Sequence, residues 1–413
     1  MSVSEGTDQS IGPRATAHLG FVDQLRGVAI LAVFLIHCTT FDASLFDPLG
    51  FIGQVFSGKA SVSQVIDFLW FYPCHLGWSG VAIFFVVSGF CIHLSYSQPG
   101  KPDLTGFYIR RFFRIYPAYL VAVLVFGLFV PYSRLDVHQW QNWMRLLAHL
   151  LLCHNLSFSL GGISGSYWTI PVEAQLYLLY PVLLLLVRRY SFGRALWIVG
   201  LVEFSLQMTT ALAFNLLQPP QYWINASPTY YLFSSSPFYY WFSWSIGAAI
   251  CDDYLKGKPS PFQKIPPWLW LIGAVATSGF VAHEFSFAFF ALATASLLSR
   301  RVSRQAAEAP LSLFGRFLRV IGTYSYSIYL IHGPIIDVVK ENFKLLLPGL
   351  ANNIWAMFFA ALSSWLIIFP LAAFMYYTVE KPCISLGKRL LKARSERQTQ
   401  LARNTVLKPL GVR

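Results

Sequence analysis

Charge is scarce along this chain. Only 12% of its 413 residues are Asp, Glu, Lys or Arg, the acids number 18 against 31 bases, and 55% are hydrophobic, with a mean hydropathy of +0.52. That usage excludes an ordinary soluble domain and defines a polytopic membrane protein. A net charge of +13 does not point to nucleic acid, because such a surface needs a solvated basic domain, and here the bases punctuate apolar runs. Membrane phospholipid headgroups are the partners it implies. Cysteine is scarce too: the six, at 38, 74, 91, 153, 251 and 383, show no CxxC or other metal-ligand spacing, so no metal site is read. Only Cys74 and Cys153 fall where they could meet on an oxidising face. Residues 1–20 hold no apolar core separate from the first span and no persuasive cleavage site, so that span is expected to be retained.

What is present is a series of apolar stretches long enough for ~30 Å of hydrocarbon. They lie near 27–45, 79–96, 116–133, 167–187, 194–216, 238–253, 267–282, 284–299, 320–339 and 353–378. The expected fold is therefore all-α, a bundle of about ten transmembrane helices. Placing the N-terminus inside puts all of the 31 Lys and Arg on inner segments except Lys59, Arg134, Arg145, Lys340 and Lys344, a strong positive-inside signal. Both termini are then cytoplasmic. The expected organisation is a cytoplasmic segment over 1–20, a transmembrane domain over 21–385 and a basic cytoplasmic tail over 386–413, in the cell (inner) membrane.

Chemistry concentrates in a few spans. In FVDQLRGVAILAVFLIHCTTFD, residues 21–42, Arg26 and His37 are eleven residues apart, about three helical turns, so they share nearly one face ~16 Å apart. A polar ring in hydrocarbon must pair or face a cavity, which makes His37 a functional candidate. The alternative is a histidine satisfied by a neighbouring helix, with Arg26 a flank paired to Asp23. In FYIRRFFRIYPAYL, Arg111 and Arg114 fall at i and i+3 and present two guanidiniums on one face. Such forks suit phosphate oxygens, or else snorkel to lipid phosphate. Pro117 is expected in that helix's first turn. In SYWTIPVEAQLYLLYP, Thr169, Glu173 and Tyr177 line one face at four-residue spacing. Glu173, on the outer half of its span, needs a partner or a proton, as acid/base work near neutrality requires. In GTYSYSIYLIHGPII, Gly322, Ser325, Tyr329 and His332 form a second polar stripe that must face the bundle interior.

Other features carry plainer readings. GWSGVAIFFVVSGFCIH is a packing helix whose Gly80, Ser88 and Gly89 allow close approach, with His93 structural. WQNWMRLLAHLLLCHN is an amphipathic helix too charged to span. The loop over 46–76 is expected to fold over the outer mouth. Asn155 and Asn225 open N-x-S sequons, and the aromatics Tyr222 and Trp223 read first as an interface belt and second as sugar-stacking rings.

Five of these stretches, in order from about 20 to 385, resemble the acyltransferase 3 family of integral membrane O-acyltransferases. They are the Arg26 to His37 helix, the run from Gly80 to Phe90, the Arg111 and Arg114 pair, Trp168 with Thr169 and Glu173, and Gly322 through His332 with the closing YTVEKP. Ala82 stands where the family pattern has an acid. The resemblance implies a cytosolic acyl-CoA, first of all acetyl-CoA, whose phosphates lodge on Arg26, Arg111 and Arg114. It also implies catalysis by His37, Glu173 and His332, and an acceptor side formed by Thr169 and Tyr177. His37 then either deprotonates the acceptor hydroxyl or takes the acyl group itself. The acceptor implied is a carbohydrate, a sugar of a surface polysaccharide or lipid-linked glycan, approaching from the face opposite the donor. Glu380 is expected to pair with an inner-face arginine. The rival readings are acylation of a small lipophilic metabolite and a proton-coupled glycan or drug transporter, whose inverted repeats are not seen.

Overall fold

A computed structural model describes residues 20–39, 48–97, 103–216, 228–279, 283–303 and 312–406. The segment before Gly20, Lys101, the second sequon at Asn225, the aromatics Tyr222 and Trp223, and the tail beyond 406 lie outside the described residues. No strand occurs among the described residues. In chain order the helices are α1 (Gly20–Cys38), α2 (Pro48–Phe56), α3 (Val62–His75), α4 (Ser79–Tyr96), α5 (Leu104–Leu128), α6 (Trp140–Leu150), α7 (Thr169–Tyr190) and α8 (Phe192–Thr210). They continue as α9 (Pro228–Ser234), α10 (Trp241–Leu255), α11 (Pro267–Ala276), α12 (His283–Ser303), α13 (Leu313–Leu346), α14 (Ile354–Ser363), α15 (Trp365–Met375) and α16 (Lys381–Val406).

Seven stretches are long and apolar enough to cross a membrane: Gly20–Cys38, Val62–Tyr96, Leu104–Leu128, Gly165–Tyr190, Phe192–Ala213, His283–Ser303 and Ile354–Gln400. The molecule is thus a multi-pass helical membrane bundle. The other three stretches expected to span correspond to α10, of 15 residues, α11, of 10, and α13, of 34. The first two are short for a crossing. α13 is long, but its apolar character is diluted by Ser325, Ser327, Tyr329 and His332, all buried. Those side chains face neighbouring helices, where hydrogen bonding replaces lipid contact.

Element limits shift where polar residues belong to helices. α1 begins at Gly20, ahead of the apolar run, because Asp23 and Arg26 satisfy each other at 3.1 Å within its first turns. α5 begins at Leu104, so Pro117 lies inside it and not in its first turn. The ring removes one N–H and leaves the carbonyl four residues earlier without its helix donor. The 46–76 region holds two helices. Ser61 caps α3, taking the Gln64 N–H at 3.3 Å while its own N–H reaches the Gln64 side chain at 2.8 Å, the reciprocal bonding of a capping box. The basic tail is helical as far as Val406: Arg394 of α16 reaches Asp103 at 2.9 Å, and Gly387 lies against Phe113 of α5. All six cysteines are free, so Cys74 and Cys153 form no disulfide.

Two helix pairs hold the interior. Gly89 of α4 lies against the Trp244 carbonyl of α10, as the small-residue run predicts. α1 runs alongside α13 in the same direction: Gln24 donates to the Gly315 carbonyl at 3.2 Å, and His37 meets His332 near the far end. Where they cross, a Cβ on Gly322 would overlap the Asp23 carbonyl oxygen, so only glycine allows the contact. This pairing fixes what the site contains.

Candidate active site

α1, α4, α5, α7 and α13 enclose a cavity of about 90 Å³ that Arg26, Arg111, Arg114, Thr169, Glu173 and Tyr177 all line. Six of the eight candidate residues therefore share one space. Arg26 pairs with Asp23 and also donates to the Cys91 sulfur at 3.3 Å. This arginine thus has both the Asp23 partner and a place on the cavity wall. Arg114 lies 3.8 Å from Glu380, so that carboxylate has the arginine partner expected of it. Ser327 donates to the other Glu380 oxygen at 2.9 Å, and a π-turn over Tyr376–Glu380 places that carboxylate. Arg111 has no ion-pair partner among the described residues, and its Nε is buried without a hydrogen bond. The Phe107 ring lies 5.9 Å beneath its guanidinium.

Glu173 is hydrogen-bonded within the same cavity. The Tyr177 hydroxyl donates to one of its oxygens at 2.5 Å and the Ser88 hydroxyl to the same oxygen at 2.7 Å, while the Trp244 indole N–H reaches Ser88 at 3.3 Å. The sequence places Glu173 far from the arginines, on the outer half of its span. In the structure it lies across the cavity from them, because α7 enters the bundle beside α4 and α5.

Tyr329 closes the cavity at its other end. Its hydroxyl lies 2.5 Å from the Thr169 hydroxyl and donates to the Ser166 carbonyl. Beyond it stand the two histidines, which do not line the cavity. The His332 ring is 5.4 Å from the Tyr329 ring and 4.8 Å from that of His37, the latter edge to face at 90°. His332 is fully buried and His37 half-buried. The Nδ1–H of His37 donates to the Val33 carbonyl at 2.8 Å, and that of His332 to the Tyr329 carbonyl at 2.7 Å. A carbonyl only accepts, so each Nδ1 carries a proton, and in the neutral ring the lone pair then lies on Nε2. The His332 Nε2 has no partner. Both rings are thus held in the form a proton acceptor needs.

The segment outside the spans packs onto this end. His149 of α6 and His154 stack at 3.8 Å, the Tyr119 hydroxyl lies 3.0 Å from His149 Nδ1, and His154 Nε2–H donates to the Tyr167 carbonyl at 3.2 Å. Tyr167 in turn donates to the Leu330 carbonyl of α13 at 2.6 Å. Burial, reinforced by the neighbouring His154, holds His149 down at about 2, and burial holds His154 at about 4. His93 bonds the Tyr180 hydroxyl at 2.9 Å, as a structural histidine should.

Sequence reasoning missed Ser88 and Cys91 as cavity residues, since in a small-residue run they read as packing. It also missed Tyr329 as a wall, since a tyrosine on a polar stripe does not announce which two spaces it divides. Among the described residues no group of His, Cys, Asp and Glu could hold a metal.

A helical membrane bundle with an arginine-rich cavity ending near two paired histidines is a class defined by its site as much as by its helices. The chain belongs to the acyltransferase 3 family, whose acyltransferase domain matches residues 19–373. Acyltransferase MdmB of Streptomyces mycarofaciens is 31% identical over 189 residues, covering 45% of this chain and 44% of that protein. A putative O-acetyltransferase of Staphylococcus aureus is 27% identical over 153 residues, 32% of this chain and 25% of that protein. The chain thus spans less than half the length of these relatives. No solved structure matches it.

Proposed function

We propose that this protein is a membrane O-acyltransferase that moves an acyl group, acetyl first of all, from cytosolic acyl-CoA to a hydroxyl of an extracytoplasmic acceptor, a sugar of a surface polysaccharide or lipid-linked glycan. The observation that carries the reading is the pair of imidazoles, His37 and His332, in ring contact and each with Nδ1 turned to a backbone carbonyl, which leaves Nε2 for the acceptor proton. Phosphate oxygens of the donor bind first to Arg111, the cavity guanidinium without a carboxylate, and then to Arg26 and Arg114. The donor's arm follows α1 past Ser88 and Tyr177, so that the thioester arrives ~16 Å further along, at His37. At about 90 Å³ the cavity holds only about three waters, so donor entry widens it. His37, half-buried and therefore reachable, takes the acceptor proton at Nε2 as the hydroxyl oxygen attacks the thioester carbonyl. The departing thiolate recovers that proton. Glu173, with Tyr177, sets the charge on the arginine side and pulls Arg26 toward the cavity. Thr169 and Tyr329 stand between donor and acceptor. The membrane is the cell (inner) membrane, with both termini on the donor side.

The test is thiol release from acetyl-CoA by the purified protein, together with a mass comparison of surface glycans from cells with and without it. Thioester consumption that stops in His37→Ala, with an acyl mass appearing on an outer glycan, is expected. No thiol release and no added acyl mass would sink the reading.

A further inference from the structure

α1 ends at Cys38, one residue after His37. The last four carbonyls of a helix have no partner within it, so its final turn frays unless something outside holds it. Here the holder comes from α13. The Lys340 ammonium donates to the His37 carbonyl at 2.7 Å and to the Thr39 carbonyl at 2.9 Å. Lys340 lies eight residues beyond His332 on the same helix, ~12 Å along its axis. It has no ion-pair partner among the described residues, although Glu341 is adjacent, because Glu341 is held by Lys344 at 2.7 Å. A cation at a helix C-terminus is also favoured by the macrodipole.

We propose that Lys340 is a positioning residue for His37: by clamping the end of α1 to the helix that carries His332, it sets the distance and angle between the two rings. The physical case is direct. His37 sits in the last turn of α1, so its backbone moves with that turn, and its ring reaches outward from the stretch that Lys340 holds. Val33, whose carbonyl fixes the His37 tautomer, lies one turn earlier and is buried. Without the clamp the last turn loosens while the arginine end, anchored by Gly322 against the Asp23 carbonyl, stays in place. Donor binding and proton transfer are thereby separable in this helix.

The inference rests on His37 being the reacting imidazole, and the experiment keeps the two readings apart. Lys340→Met retains the stem and loses the donors, and Lys340→Arg retains donors. Two quantities are read in the purified full chain: thiol release from acetyl-CoA, as kcat and KM, and the rate at which diethyl pyrocarbonate modifies His37, mapped by mass spectrometry. Lys340→Met is expected to lower kcat about tenfold or more with KM for the donor nearly unchanged, since small misplacements of a reacting group carry penalties of that order. Its His37 should be modified faster, and Lys340→Arg should restore both quantities. Unaltered His37 modification and kcat in folded Lys340→Met overturn the proposal, as does a loss that Lys340→Arg fails to restore. If His37 modification responds and wild-type protein releases no thiol, the clamp stands and the transferase reading falls.

Discussion

At the Arg26 end of α1 three guanidiniums meet Asp23, Glu173 and Glu380, each carboxylate placed by a different helix or turn. At the His37 end, eleven residues on, the groups beside the two imidazole rings are backbone carbonyls and a tyrosine, and the nearby cation is used on the helix terminus. The first end balances three guanidiniums with three carboxylates but leaves Arg111 without one at ion-pair distance. The second holds lone pairs ready to accept a proton. Anion binding calls for fixed charge and proton transfer for a fixed tautomer, and at the second end the cation Lys340 is bonded to the His37 and Thr39 carbonyls, where it fixes backbone. Three turns of helix keep the two ends apart, with Tyr329 as the partition.

The comparison breaks most visibly at the histidines. His37→Ala should reduce transfer by about 10²-fold or more, the scale of a lost general base, while leaving protein yield near wild type, because the half-buried ring contributes little packing. Wild-type thiol release in that variant would move the chemistry elsewhere. Glu173→Gln comes next and decides to which end the carboxylate belongs. It keeps the shape and removes the charge, so a fall in kcat assigns Glu173 to the reaction, and a change confined to KM for the donor assigns it to the arginines. Its place in the arginine cavity makes both quantities move, with KM for the donor moving more.

Smaller effects sharpen the arginine end. Arg111→Lys should raise KM for the donor about tenfold, since a point charge cannot reproduce a bidentate fork. Arg114→Lys should do less, because Glu380 already lies 3.8 Å from that guanidinium. Equal effects of the two would remove the distinction drawn from their partners. Smallest is a stability effect at the outer segment. His149 and His154 titrate far below the usual 6.5 of a free histidine when folded, so the unfolded chain binds more protons between. Their contribution is fully present above about pH 6.5 and is lost as the pH falls toward 4. A thermal-unfolding series over that range should show the loss, and His149→Phe, which keeps a stacked ring, should flatten it. A variant profile parallel to wild type would leave the histidine pair without a part in acid stability.

Much of this was legible in the chain. The polar stripes on α1, α7 and α13 are visible from spacing alone, because a helix repeats every 3.6 residues whatever surrounds it. The pairing of Glu380 with an inner arginine follows from the rule that buried charges are matched. Less legible were the limits of α1 and α5, since Asp23, Arg26 and Pro117 each read as a boundary until neighbouring groups satisfy them. The helices in 46–76 were hidden by their mixed composition.

By itself, then, the sequence determined a helical membrane protein and put forward the polar residues on its spans as candidates, because hydropathy and periodicity are local properties. Tertiary structure alone decided that Glu173 faces the arginines, that Tyr329 divides cavity from histidines, that both imidazoles turn Nδ1–H to a backbone carbonyl, and that Lys340 bonds the end of α1. Each of these depends on which helices are neighbours and on how far apart their backbones lie, and residues 160 to more than 300 positions apart have no local signal by which one announces the other.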